Sequence, residues 1–254
     1  MKKVTICVLL YGDYPELARR CLGSIREHCH RSTYQLVVGG NAVSEETRTY
    51  VRSLQDQGVV SRFLDSPVNL NKNPMMRRMF EVLDSEYVWW FDDDSHIAEK
   101  DAMDRWLGKA ESSAMDVELW GHAAVCDHPN AFAPDIEDVE AYVRTAAWYR
   151  GLPPPSWRPG GKGEFDYEGK GTGDGRWFFV IGGCFLIRTC VLRALDWPDR
   201  RLIKMGDDVL LGEAIRQHGW RLRNTGSMGV AIDIQPRRGD NGCVGVGKKV
   251  LKAL

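Results

Sequence analysis

Two kinds of apolar run alternate along the first half of the chain. Residues 4–10 and 87–91 are nearly continuous stretches of apolar, often β-branched or aromatic side chains, the pattern of strands buried on both faces. Residues 15–28 carry Leu17, Ala18, Cys21, Leu22 and Ile25 at helical spacing, which predicts a helix after the first strand. A second strand is predicted over 34–38, ending in a turn at Gly39-Gly40-Asn41. Ser44 followed by Glu45 and Glu46 has the form of a capped helix start. A short third strand over 60–64, a helix over 74–83 and the strand 87–91 complete the half. Strand and helix in strict alternation predict an α/β chain with a Rossmann-like, doubly wound, mostly parallel central sheet. No GxGxxG follows the first strand, so the dinucleotide-binding fingerprint is absent.

The second half is less regular. Strands are predicted over 116–126 and 177–188, and a helix over 207–217 that stops at Gly219. Residues 151–176 are rich in Gly and Pro and nearly free of aliphatic side chains. Such a segment cannot build a core and is expected to be a flexible lid or substrate loop. Residues 235–254 read as a flexible basic tail, with Arg237, Arg238, Lys248 and Lys249 among glycines. The expected organisation is one domain over 1–234, with a nucleotide-binding half (1–115) and an acceptor-binding half (116–234).

Composition narrows the function classes. The 254 residues are 43% hydrophobic and 27% charged, a globular balance that excludes a fibrous or mostly disordered chain. Lys plus Arg number 34 against 35 Asp plus Glu, so there is no electrostatic footprint for gripping nucleic acid or anionic membrane. No apolar run approaches the roughly 18 residues of a membrane span. The short apolar run near the N-terminus is read as the first strand rather than a signal peptide. Seven cysteines, an odd number with no CxxC pair, are expected to be reduced thiols in a cytoplasmic protein.

The chemistry concentrates in carboxylates. Trp89-Trp90-Phe91-Asp92-Asp93-Asp94 is an apolar strand ending in three acids, at the sheet edge where open α/β folds bind ligands. Alternation puts Asp92 and Asp94 on one side and Asp93 on the other. Two like charges held close favour a cation between them, and oxygen-only ligands suit Mg²⁺ or Mn²⁺ bridging to phosphates. A solvated turn or helix cap is the plainer use of the same residues. His96, two residues on, is read as a bystander. A second pair, Asp207-Asp208 after Gly206, opens the later helix. The dipole alone favours acids there, but a carboxylate in that place can also take a proton from an acceptor hydroxyl.

Taken in order, these stretches resemble the family 2 glycosyltransferases of the GT-A fold. The matching segments are 5–11, 37–44, 89–94, the Gly182-Gly183 strand over 180–188, Gly206-Asp207-Asp208, and the helix stretch 211–220. The resemblance implies a GT-A sheet with a smaller, antiparallel acceptor-side portion. It implies transfer of a sugar, with inversion, from a nucleotide-diphosphate donor (a UDP-sugar is expected) to a hydroxyl, with Mn²⁺ or Mg²⁺ as cofactor. Residue by residue, Asp94 would bind the metal, with Asp92 contacting it or the ribose side, and Asp93 would belong to the donor site. Leu10 and Tyr11 would line the base pocket, and Asn71 and Arg77, with Arg78 an equal candidate for the latter, would contact nucleotide or phosphate. Gly182 and Gly183 would let the backbone pass the donor sugar. Asp208, with Asp207 beside it, would be the base.

The sequence departs from the family pattern in three places. Asn41 stands where an Asp usually reads the base, Asp207 stands for a Glu, and Asp233 takes the position of a metal-binding His. Arg237, Arg238 and Trp157 are candidate diphosphate or acceptor contacts. The acceptor class stays open among saccharide, small molecule, lipid, protein side chain and modified nucleic-acid base. A non-catalytic nucleotide- or sugar-binding module, and a phosphohydrolase, are the alternatives. The phosphohydrolase would want its nucleophilic Asp after the first strand rather than the fourth.

Overall fold

The computed structural model describes residues 2–113, 117–126, 129–152 and 177–233. Trp157, Arg237, Arg238, nearly all of the 151–176 loop and the 235–254 tail lie outside the described residues. In chain order the elements of the first half are β1 (Val4–Tyr11), α1 (Pro15–His28), β2 (Tyr34–Asn41), α2 (Glu45–Asp56), β3 (Arg62–Ser66), α3 (Lys72–Phe80), β4 (Tyr87–Asp92), β5 (Ser95–Ile97) and α4 (Ala102–Ser112). The second half adds β6 (Val117–Cys126), α5 (Val139–Arg144), β7 (Trp177–Arg188), α6 (Thr189–Leu195), α7 (Asp207–Gln217), β8 (Arg221–Asn224) and β9 (Val230–Ile232). Seven strands form one mixed sheet in the order β3-β2-β1-β4-β7-β6-β8, and β5 pairs with β9 in a small second sheet. Strands β1 to β4 run parallel, while β7 lies antiparallel to both β4 and β6.

Two apolar layers enclose the sheet, and the central strands serve both. In β1, Cys7 and Leu9 face the layer built from α3, α6 and α7, whereas Ile6, Val8 and Leu10 face the one built from α1, α2 and α4. In β4, Val88 and Trp90 take the first side and Tyr87, Trp89 and Phe91 the second. A strand that must bury both faces has no polar position to spare, which is why these runs are continuously apolar.

Glycines set how closely two helices lie on the sheet. The predicted turn at Gly39-Gly40 is instead the continuation of β2 through Asn41. A Cβ on Gly39 would stand 2.4 Å from Met79 Sδ, so the missing side chain lets α3 settle onto β2. On the other side of the site, a Cβ on Gly212 would stand 2.2 Å from the backbone oxygen of Phe178, so α7 meets β7 almost backbone to backbone. Among the described residues, no helix is long and apolar enough to cross a membrane.

Candidate active site

Three element ends converge at the carboxyl edge of β4: the last residue of β4 itself, the first turn of α3 and the first turn of α7. The alternation that places Val88 and Trp90 against α3 also aims Asp92 there. Its Oδ1 accepts from the Trp90 indole at 3.1 Å and its Oδ2 from the Lys72 ammonium at 3.0 Å. Lys72 Nζ lies 3.1 Å from Asp207 Oδ2 as well, so one cation spans a carboxylate of the central strand and one of α7. Gly182 of β7 makes the space: a Cβ there would sit 3.1 Å from Lys72 Nζ, 3.2 Å from Asp207 Oδ2 and 3.4 Å from Asp208 Cβ.

Burial tunes these groups. Asp207 is 5% exposed, and burial pushes its carboxyl up against the pull of Lys72. Burial would lower the Lys72 ammonium, but Asp207 and Asp92 outweigh it and hold it above its ordinary value, so it stays charged. Asp208, half-buried beside Asp207, is pushed up to about 7 by burial first and by the Asp207 charge second. Its Oδ1 accepts from the Val209 backbone N–H at 2.8 Å. Gly206 enters the helix with φ +91°, a left-handed conformation suited to glycine, and a Cβ there would stand 2.8 Å from Ala133 Cβ.

On the side of β1, Asp93 is buried and accepts from the Tyr11 backbone N–H at 3.2 Å. Tyr11 is half-buried, and its hydroxyl accepts from Asn69 Nδ2 at 3.4 Å. Asn41 is buried, with Nδ2 donating to Asn69 Oδ1 (3.0 Å) and Oδ1 accepting from the Leu70 N–H (2.7 Å). In this structure its amide shapes the loop that leads into Asn71. Asn71 adopts φ 67° and directs the chain into α3. Leu10 is 1% exposed within the α1-side core, so only its backbone borders the site.

Strand geometry ends at Asp92 and a turn follows at Asp93 and Asp94, while burial still alternates, with Asp93 buried between the half-buried Asp92 and Asp94. The close approach at Gly183 is to protein: a Cβ there would meet Ile232 Cγ2 at 3.1 Å, and the Gly183 carbonyl accepts from Ser95 Oγ at 2.8 Å. Arg77 turns to the loop after α6, pairing with Asp196 at 2.7 Å and with the Asp196 and Pro198 carbonyls. The cation that meets Asp92 is Lys72, which sequence reasoning passed over. The signal was there: a lysine in the first turn of a helix opposes the dipole and needs a carboxylate from elsewhere.

The donors available to a divalent cation are hard oxygens. The Asp233 backbone N–H donates to the Asp94 carbonyl at 2.9 Å, which sets these two residues side by side. The Asp233 carboxylate, however, contacts Arg20 at 2.9 Å and His96 at 3.6 Å, and that of Asp92 contacts Lys72. Among the described residues no three His, Cys, Asp or Glu side chains gather as a metal cluster. Donors of this kind are the hard oxygens that Mg²⁺ and Mn²⁺ prefer.

The chain superposes on the mannosyltransferase PcManGT from Pyrobaculum calidifontis, in complex with GDP-Man and Mn²⁺, with a TM-score of 0.62 at 16% identity, over 93% of this chain and 58% of that one. TarS of S. aureus (residues 1–349, in complex with UDP-GlcNAc) gives 0.55 at 11% identity, over 93% and 60%. The fold is that of these glycosyltransferases. The chain spans about three fifths of their length. No protein-family model matches the sequence, and no curated protein matches it.

Proposed function

We propose that the chain is an inverting glycosyltransferase that moves a sugar from a nucleotide-diphosphate donor, a UDP-sugar being expected, to an acceptor hydroxyl. The observation that carries this is the meeting of Asp92 with Asp207 and Asp208 around Gly182, on a fold shared with nucleotide-sugar transferases. Asp208 takes the proton of the acceptor hydroxyl. The oxygen so freed attacks the anomeric carbon from the face opposite the diphosphate, and the carbon–oxygen bond to the diphosphate breaks with its electron pair going to that leaving group. Tyr11 and the 69–71 loop border the nucleotide side. Asp94 would hold Mg²⁺ or Mn²⁺, whose chemistry is to offset charge on the diphosphate.

The elevated Asp208 carboxyl gives the reaction a pH signature. A base must be ionised to accept a proton, so turnover at saturating donor is expected to fall about tenfold per pH unit below about 7 and to level off above it. The same shift acts on stability with a definite sign. The folded chain holds the Asp208 proton more tightly than the unfolded chain, from an ordinary value of 3.8 up to about 7. Its contribution is therefore lost as pH rises through that window. Release of nucleoside diphosphate from UDP- and GDP-sugars across pH 5–9, with simple saccharides as acceptors, checks the profile. A flat profile would exclude Asp208 as the base.

A further inference from the structure

The Lys72 ammonium stands between carboxylates carried by different parts of the fold, Asp92 on β4 and Asp207 on α7. We propose that Lys72 is the positioning residue of this site: it ties the first turn of α7 to the end of the central strand and so sets where Asp208 stands. The role of Asp208 rests on the transferase reading above; the tie itself does not.

Four observations carry the proposal. Asp207 is 5% exposed, and its buried Oδ2 has no well-aligned hydrogen bond among the described residues, so the ion contact with Lys72 is what offsets its charge. Lys72 opens α3, where the helix dipole repels a cation, and Asn71 before it supplies no side-chain cap. Nothing local favours an ammonium there; the two carboxylates do. Gly182 is the residue on β7 whose missing side chain keeps the space between Nζ and Asp207 clear. Finally, Asp208 directly follows Asp207 in the first turn of α7, so a shift of Asp207 carries Asp208 with it. The ammonium lies 3.0 Å from Asp92 and 3.1 Å from Asp207, and the split between kcat and donor KM is what separates a positioning role from a binding one.

The tie is tested by melting temperatures of wild type, Lys72→Met, Asp207→Asn and the double variant. Lys72→Met is expected to lower the midpoint by about 5 °C, and adding Asp207→Asn to recover at least about half of it, because the stranded charge is gone. Strictly additive shifts would overturn the tie. Should Lys72→Met fail to fold, a folded double variant supports the tie and an unfolded one overturns it.

Positioning is tested with Lys72→Ala, whose kcat is expected to fall about 100-fold with the donor KM within about threefold, since a displaced base slows chemistry without weakening binding. Added ethylammonium, but not tetramethylammonium, is expected to restore at least about tenfold of that loss. A raised KM at unchanged kcat, or no rescue by ethylammonium, would overturn the positioning role. Wild-type chain inactive on every donor would sink the transferase reading, and the melting temperatures would still decide the tie.

Discussion

Asp208→Asn is expected to lose about a thousandfold in turnover while donor affinity stays within about threefold, because general-base catalysis contributes on the order of 10² to 10⁴. The substitution is close to isosteric. Asn keeps the oxygen that accepts from the Val209 N–H at 2.8 Å, so the first turn of α7 retains its hydrogen bond. What disappears is the ability to accept a proton, together with the negative charge beside Asp207. Relief of that repulsion is expected to leave the variant at least as stable as wild type near pH 8, where wild-type Asp208, with its carboxyl pushed up to about 7, is ionised. Steady-state release of nucleoside diphosphate, paired with nucleotide binding followed by melting temperature, separates the two effects. Full turnover in the variant would exclude Asp208 as the base.

Gly212→Ala is expected to be the most destabilising single methyl addition in α7. The new Cβ would stand 2.2 Å from the Phe178 backbone oxygen and 2.9 Å from Phe179 Cα. Those are backbone atoms of β7, paired there with β6, and cannot swing aside as a flexible side chain would. The helix must lift instead, at a cost of about 3 kcal/mol or more, which is a drop of about 10 °C in Tm for a chain of this size. Lifting α7 also draws Asp207 away from Lys72, so activity is expected to fall further than stability alone accounts for. Gly23→Ala and Gly108→Ala are the controls. Each glycine lies inside a helix and an added Cβ would meet nothing within 4 Å, so both are expected to be neutral or stabilising by up to about 1 kcal/mol. Thermal denaturation of the three variants checks the contrast.

Much of this arrangement is written in the local pattern. The helix at 15–28 reads off the sequence by its helical spacing and the strand at 87–91 by its continuous apolar run; the structure places them at Pro15–His28 and Tyr87–Asp92, and the helix predicted over 207–217 at Asp207–Gln217. Ser44 caps α2 by accepting from the Thr47 N–H at 3.4 Å, as its position before two glutamates implied.

What escaped the sequence depends on contacts between distant segments. Gly39 and Gly40 look like a turn when judged alone; Met79 and Phe63 packing against them is what makes glycine the right residue within a strand. Proline at 74 drew the predicted start of α3 to that position, whereas the helix begins at Lys72. Lys72 and Arg77 are five residues apart, about 140° around a helix at roughly 100° per residue, so they cannot both face Asp92. Only the rotation of α3, set by Met75 and Met79 against β2, shows that Lys72 does.

The most direct measurement is the melting temperature of the chain with UDP, GDP, CDP or TDP, each with and without Mn²⁺, in wild type and Asp94→Ala. A ligand that binds only the folded chain must raise its stability according to concentration over Kd. One diphosphate is expected to raise Tm in the presence of Mn²⁺, and Asp94→Ala to abolish that rise without lowering the Tm of the free chain by more than about 2 °C. No shift with any of the four nucleotides would contradict a nucleotide-sugar transferase.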